Sequence, residues 1–255
     1  MGAATEQTVS RVQGGKVLVV GVGGLGSPAA LALALSGIGV IGVVDPDLVE
    51  LSNLQRQILH FTADVGKPKV TSAGEKLRRL NPCLAVNLYH ERLHAENLTR
   101  LFLPYDFIID GTDGVATKFL INDGAVLMGK PFAYGGVVQF QGQVLTVLPR
   151  QSACLRCLFP TPPDPDETPT CQESGILGSL AGSIGFLQAA AAVQCLEGRG
   201  ASLADRLLTY DAHALRWRPI PVRRNPRCPL CGPSPTITGL RGADYQYPES
   251  CVARE

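Results

Sequence analysis

Apolar runs alternate with polar turns through the first half of the chain. KVLVV, Lys16 to Val20, reads as a buried strand, Gly21 to Gly26 as a tight turn, Ser27 to Ser36 as a helix of small and leucine side chains, and Ile38 to Asp45 as a second strand. The polar segment PDLVELSNLQRQILHFTADVGKPK leads into a helix from Val70 to Leu80, closed by Asn81 and Pro82, and a strand follows at Leu84 to Leu88. YDFIIDGTDG is a short apolar strand ending in an acid, with the helix VATKFLINDGAVLMG directly after it. Strands alternating with helices in this way predict a parallel sheet, with ligands bound beyond the carboxyl ends of its strands.

From Pro131 the pattern changes. In PFAYGGVVQFQGQVLTVLP, Gln139, Gln141 and Gln143 alternate with other residues, as on antiparallel strands with one wetter face, so the sheet is expected to be mixed. FPTPPDPDETPT is too rich in proline and acid for a regular element and reads as an exposed loop ending at Cys171. Ile176 to Leu196 is strongly apolar but broken by Gly178, Ser179, Gly182, Ser183, Gly185 and Gln188, which suits an internal helix better than a membrane span. DRLLTYDAHALRWRPIPV reads as a hairpin, NPRCPLCG as a knuckle, and the last residues as a weakly structured tail. The expected organisation is a short lead over 1–15, one α/β domain over 16–232 and a tail over 233–255.

Composition narrows this only a little. With 255 residues, 45% hydrophobic and 18% charged, the chain has ordinary globular composition, and a net charge of +1 leaves no footprint for nucleic acid. MGAATEQTVSRVQGG lacks the apolar segment of a secretory signal, so a cytoplasmic protein with reduced cysteines is expected.

Glycines at Gly21, Gly23 and Gly26 follow a strand and open a helix, and Asp45 trails them by about 20 residues, the spacing of a dinucleotide-binding turn. No Lys-Ser or Lys-Thr pair follows the glycines, which excludes a Walker loop. NAD and ATP remain. Attack at an ATP α-phosphate needs cations and a metal, and the next segment supplies Asn53, Arg56, Gln57, Lys67 and Lys69, with Asp113 as a magnesium carboxylate. ATP is therefore favoured over a nicotinamide dehydrogenase.

Cys154 with Cys157 and Cys228 with Cys231 form two CxxC pairs about 70 residues apart, the spacing of a structural four-thiolate zinc site. Cys171 precedes a helix, where the N-terminal dipole favours a thiolate, and it reads either as a nucleophile or as a small buried residue. Cys83 and Cys195 stand in apolar contexts and are expected in the core, while His60 and His94 read as surface histidines.

GVGGLGSPAA, DPDLVELSNLQRQ and DGTDG, with VGKPKV, TCQESGILGSLAGSIGFLQA and NPRCPLCG in order, resemble the ThiF/MoeB/HesA family, relatives of the ubiquitin-activating enzymes. The resemblance runs from Lys16 to Gly232. It implies a Rossmann-like α/β fold and adenylation, with ATP and magnesium, of the C-terminal glycine carboxylate of a ubiquitin-like sulfur-carrier protein, toward a thiocarboxylate for molybdopterin, thiamine or another sulfur product. The nucleotide would lie on Gly21, Gly23, Gly24 and Gly26, its ribose at Asp45, and its adenine and phosphates along Ser52, Asn53, Leu54, Gln55, Arg56 and Gln57, with Lys69, Asp113 and Gly114. Arg56 and Lys69 would stabilise phosphate charge, and Asp113 would hold magnesium. In some relatives a cysteine at the place of Cys171 takes part in sulfur transfer.

Two departures stand out. Arg11 lies too close to the first strand to match the family's N-terminal arginine, which reaches the nucleotide of the other subunit, and Gly114 replaces an asparagine. A homodimer, a separate sulfur donor and docking of the carrier on the sheet around Val137 to Leu148, with Phe140, are expected from the resemblance. The other readings are adenylation of a different carboxylate, on a peptide or a modified tRNA base, and a non-catalytic subunit that binds a ubiquitin-like partner.

Overall fold

The computed structural model of the protein describes residues 11–163 and 175–245. Five parallel strands form on the apolar runs: β1 (Lys16–Val20), β2 (Val40–Val44), β3 (Ala85–Tyr89), β4 (Phe107–Asp110) and β5 (Phe132–Val138). β6 (Gln141–Val147), β7 (Arg206–Asp211) and β8 (Arg216–Pro221) add antiparallel strands, giving the order β3, β2, β1, β4, β5, β6, β7, β8. The sheet is mixed, as its pattern predicts. β2 starts at Val40 rather than Ile38, because Gly37 turns the chain at a φ of +78° just before it.

Among the described residues, the helices that accompany the sheet include α1 (Gly26–Leu35), α2 (Lys69–Leu80), α3 (Ala95–Phe102), α4 (Val115–Leu127), α5 (Leu155–Leu158) and α6 (Gly178–Leu196). β1 shows why both faces of the parallel half of the sheet are dry. Val17 and Val19 pack with Leu33 of α1, Leu77 of α2 and Ala192 of α6, whereas Leu18 and Val20 pack with Phe102 of α3 and Phe119 of α4. α6 is long and apolar enough to cross a membrane by length and composition, yet it packs against α1 and β4 to β6 and buries Ile184 and Gln188 completely. Its small residues allow this close approach.

The hairpin joining β5 to β6 turns on Gln139, at a φ of +52°, and Phe140. Gln139 is thus a turn residue, while Gln141 and Gln143 share one face with Asp211 and Thr209 of β7 and with Arg216 and Arg218 of β8. Phe140 is exposed and stacks on His213, with ring centroids 3.9 Å apart, so it is not core. β8 is the outer edge. Its even-numbered row faces β7, a direction that Val222 continues by donating to the Asp205 carbonyl, so Pro219 and Pro221 lie in the outward row.

The chain after the last CxxC pair is anchored as far as Tyr245. The N–H groups of Thr236 and Ile237 both donate to the Pro229 carbonyl at 2.9 Å, and Ile237, Leu240 and Tyr245 pack against the α3/α4 side of the core. Cys83 is exposed at the start of the β3 connection, since Pro82 and Cys83 form the turn before the strand, and Cys195 is half-buried against the α6 core.

Candidate functional site

Register brings three loops together. Val20 pairs with Val44 of β2 and with Asp110 of β4, so Gly21, Asp45 and Gly111 begin their loops side by side. This is the crevice where the strand order reverses around β1, the place where open sheets bind ligands. Gly21 takes a φ of +81° and the loops touch without side chains: a Cβ on Gly26 would lie 1.7 Å from the Gly21 carbonyl oxygen, and one on Gly111 2.5 Å from it. Among the described residues no acceptor meets the N–H groups of Gly23 and Gly24, just ahead of α1. Such free donors at a helix N-terminus suit a phosphate.

The expected nucleotide residues surround this turn. Arg56 lays its stem against Gly24, where a Cβ would sit 3.4 Å from Arg56 Cγ, and its Nη1 donates to the Ser52 carbonyl at 3.3 Å. Gln57 is 3% exposed beside Gly23, and its Oε1 has no partner among the described residues. Asn53 is buried in a 3-10 turn over Leu51–Asn53, with Ser52 and Gln55 exposed and Leu54 half-buried around it.

Asp45 accepts from Val22 N at 2.8 Å and Asp47 N at 2.9 Å. Burial raises its carboxyl above the ordinary range, opposed by the Lys69 charge and these two N–H groups. Lys69, at the start of α2, is itself buried and pairs with Asp47 at 2.8 Å. Asp45 therefore orders the turn as well as facing the crevice, and Lys69 reaches the same place through Asp47.

The acid that ends β4 is not the free one. Asp110 is completely buried, accepts from Lys118 Nζ at 3.1 Å and from the Thr112 N–H and hydroxyl, and its carbonyl accepts from Gln188. Asp113, on the loop that follows, is exposed and has no hydrogen-bond or ionic partner among the described residues. Gly114 caps α4 beside it. Cys171 lies outside the described residues.

His60 is a correction. Far from lying on the surface, it is 3% exposed, because the polar stretch around it folds under the glycine turn: Nδ1 faces Ser72 Oγ at 2.9 Å and Nε2 faces the Val22 carbonyl at 3.1 Å. Burial pushes its pKa down to about 4. His94, in contrast, is exposed and pairs with Glu96 at 2.8 Å.

The two CxxC pairs meet. Their sulfurs lie within 4.8 Å of one another, with Cys154 3.9 Å from Cys157, 3.7 Å from Cys228 and 3.5 Å from Cys231. A tetrahedron of zinc–sulfur bonds has edges of about 3.8 Å, and these separations are too long for disulfides. The donor set fits zinc. No sequence spacing points to what ties this cluster to helix α4: Arg156, between the first two cysteines, pairs with Asp123 of α4 at 2.7 Å, and Tyr245 donates to the same carboxylate at 2.8 Å. The only hint was an Asn-Asp pair, Asn122 and Asp123, inside an apolar helix.

The ThiF family model matches residues 2–230. A sulfur carrier protein adenylyltransferase from Thermus thermophilus is 46% identical over 241 residues, spanning 92% of this chain and 88% of that relative. The adenylyltransferase and sulfurtransferase MOCS3 of Anopheles gambiae is also 46% identical, over 231 residues, but the chain spans only 52% of its length. Among solved structures, E. coli MccB in its crystal with MccA-N7isoASN matches with a TM-score of 0.81 over 91% of this chain and 70% of that one, at 20% identity, which is a likeness of fold.

Proposed function

The chain belongs to the ThiF family, and from that premise we propose that it uses ATP to adenylate the C-terminal glycine carboxylate of a ubiquitin-like sulfur-carrier protein. The carboxylate oxygen bonds to the α-phosphorus of ATP, the bond from that phosphorus to the bridging oxygen breaks, and pyrophosphate leaves with the electron pair. The product is an acyl-adenylate, from which sulfide-level sulfur of a separate donor displaces AMP to leave a thiocarboxylate. The observation that carries this reading is the crevice itself, where the N–H groups of Gly23 and Gly24 and the buried Gln57 Oε1, all without a partner among the described residues, stand beside Arg56.

No general base is needed, since a terminal carboxylate is ionised at neutral pH. Catalysis then rests on positioning and charge. The N–H groups ahead of α1 receive phosphate oxygens, Arg56 and Lys69 balance negative charge as pyrophosphate departs, and Asp45 takes the ribose. Asp113 would hold magnesium, which when bound neutralises phosphate charge. The four thiolates would hold zinc in a structural role, since no ligand position is left for substrate.

The carrier would lie on the open sheet face near the β5/β6 hairpin, where Val138 and Phe140 are exposed. A homodimer belongs to the same reading. It is supported by Leu51, Ile58 and Phe61, which leave apolar surface exposed beside the crevice.

The test is exchange of labelled pyrophosphate into ATP with magnesium and each Gly-Gly-ending carrier of the source genome. Exchange that requires a carrier and is lost in Asp113→Ala is expected. A folded, zinc-loaded protein that gives no exchange with any carrier would overturn the proposal in favour of another carboxylate or a non-catalytic binding role.

A further inference from the structure

Val22 sits within the glycine turn with its peptide groups held from both sides. Its N–H donates to Asp45 Oδ2, and its carbonyl accepts from Ser27 Oγ at 2.7 Å and faces His60 Nε2 at 3.1 Å. A carbonyl oxygen only accepts, so Nε2 carries the ring proton and Nδ1 is left as an acceptor. Ser72 Oγ, 2.9 Å away, supplies its proton to Nδ1 and in turn accepts from Lys76 Nζ at 2.8 Å, while Lys76 pairs with Asp64. Lys76 Nζ also donates to the Ser72 carbonyl at 3.3 Å, and the Val22 carbonyl, which can only accept, is what selects the Nε2–H neutral tautomer.

The charged groups around the ring are Lys69 and Lys76 from α2 and Asp64 from the preceding 3-10 turn. Two of the three disfavour an imidazolium, as does burial. The ring is thus a fixed neutral donor.

We propose that His60 is a positioning residue for the nucleotide: by holding the Val22 carbonyl inward, it aims the Gly23 N–H at the phosphate. The geometry follows from the peptide bond. The Val22 carbonyl and the Gly23 N–H belong to one trans plane and point in opposite directions, so anchoring one under the turn directs the other into the crevice. Ser27 shares the anchor from within α1, and His60 joins it to α2, the helix that also carries Lys69.

This rests on the proposed reading of the turn as the ATP site. The experiment is calorimetric titration of ATP with magnesium into the full chain without a carrier, for wild type, His60→Leu and His60→Gln. We expect the Kd to rise about tenfold in His60→Leu, equivalent to about 1.4 kcal/mol. His60→Gln, which keeps an N–H donor at similar reach, should stay within about threefold of wild type, a rescue that a merely space-filling role would not give.

A His60→Leu protein that binds ATP as wild type does would overturn the role of His60 alone, whereas a wild type that binds no ATP would overturn the reading of the turn as well. Should His60→Leu fail to fold, nitrogen-15 NMR of the wild-type ring decides. The Nε2–H tautomer at pH 7 supports the proposal, and the Nδ1–H tautomer or a charged ring overturns it.

Discussion

Arg156 grips Asp123 with two nitrogens, Nε at 2.8 Å and Nη2 at 2.7 Å, and Asp123 is completely buried in α4. The pair joins the cysteine cluster to the helix that begins at the Asp113 loop. A desolvated ion pair of this kind is costly to halve, because the survivor stays charged in a dry site. Asp123→Ala should therefore cost about 3–5 kcal/mol of stability. Urea unfolding would measure it, and an effect below about 1 kcal/mol would show that the pair is more hydrated than its burial indicates.

Removing the metal should act through the fold. The purified protein is expected to release one zinc per chain when its thiols are titrated with a mercurial in the presence of a zinc indicator. Cys228→Ser should lower the melting temperature by about 10 °C, an effect of a few kcal/mol at this size. ATP binding near 10 °C should survive in whatever fraction remains folded. Loss of binding in a fully folded variant would contradict a purely structural metal.

Arg56→Ala should reduce the rate of pyrophosphate exchange about 100-fold, the scale for removing one charge-stabilising group, with a much smaller change in the carrier's KM. Asp113→Ala should lose exchange at the magnesium concentration that saturates wild type, and regain part of it only at much higher magnesium. An Arg56→Ala protein with an altered carrier KM and an unchanged rate would instead place Arg56 at the docking surface.

His60 also predicts a pH dependence of stability. Its pKa is lowered from 6.5 to about 4 on folding, chiefly by burial, so the unfolded chain takes up a proton that the folded one refuses. The stabilisation is complete above pH 6.5 and is lost as pH falls toward 4. Between pH 7 and pH 4.5 wild type should lose about 2–3 kcal/mol that His60→Gln does not lose. Parallel denaturation curves at the two pH values, with identical losses in both proteins, would refute this.

Much of the architecture is legible along the chain because it is written in local patterns. The alternation of apolar strands with helices gives the parallel half, and the spacing of Gly21, Gly23, Gly26 and Asp45 marks the crevice. The paired CxxC spacing marks the four-cysteine cluster. What the residues conceal is pairing across distance. His60 meets Val22 over a separation of 38 residues and Tyr245 meets Asp123 over 122, and both depend on how the elements dock. A histidine in a polar stretch carries no mark of the crevice beneath which it folds. Asp110 and Asp113 are likewise alike in sequence, and only burial beside Lys118 shows which one is committed to the scaffold.

The outward row of β8 holds Pro219 and Pro221, which leaves Trp217 as its one backbone donor. An incoming strand would find almost nothing to zip onto there, from a neighbour of its own kind in a crowded cell or from a guest alike. A visitor to this end of the sheet must lie across its broad side, and the molecule keeps that side open without inviting its own copies to stack into fibres.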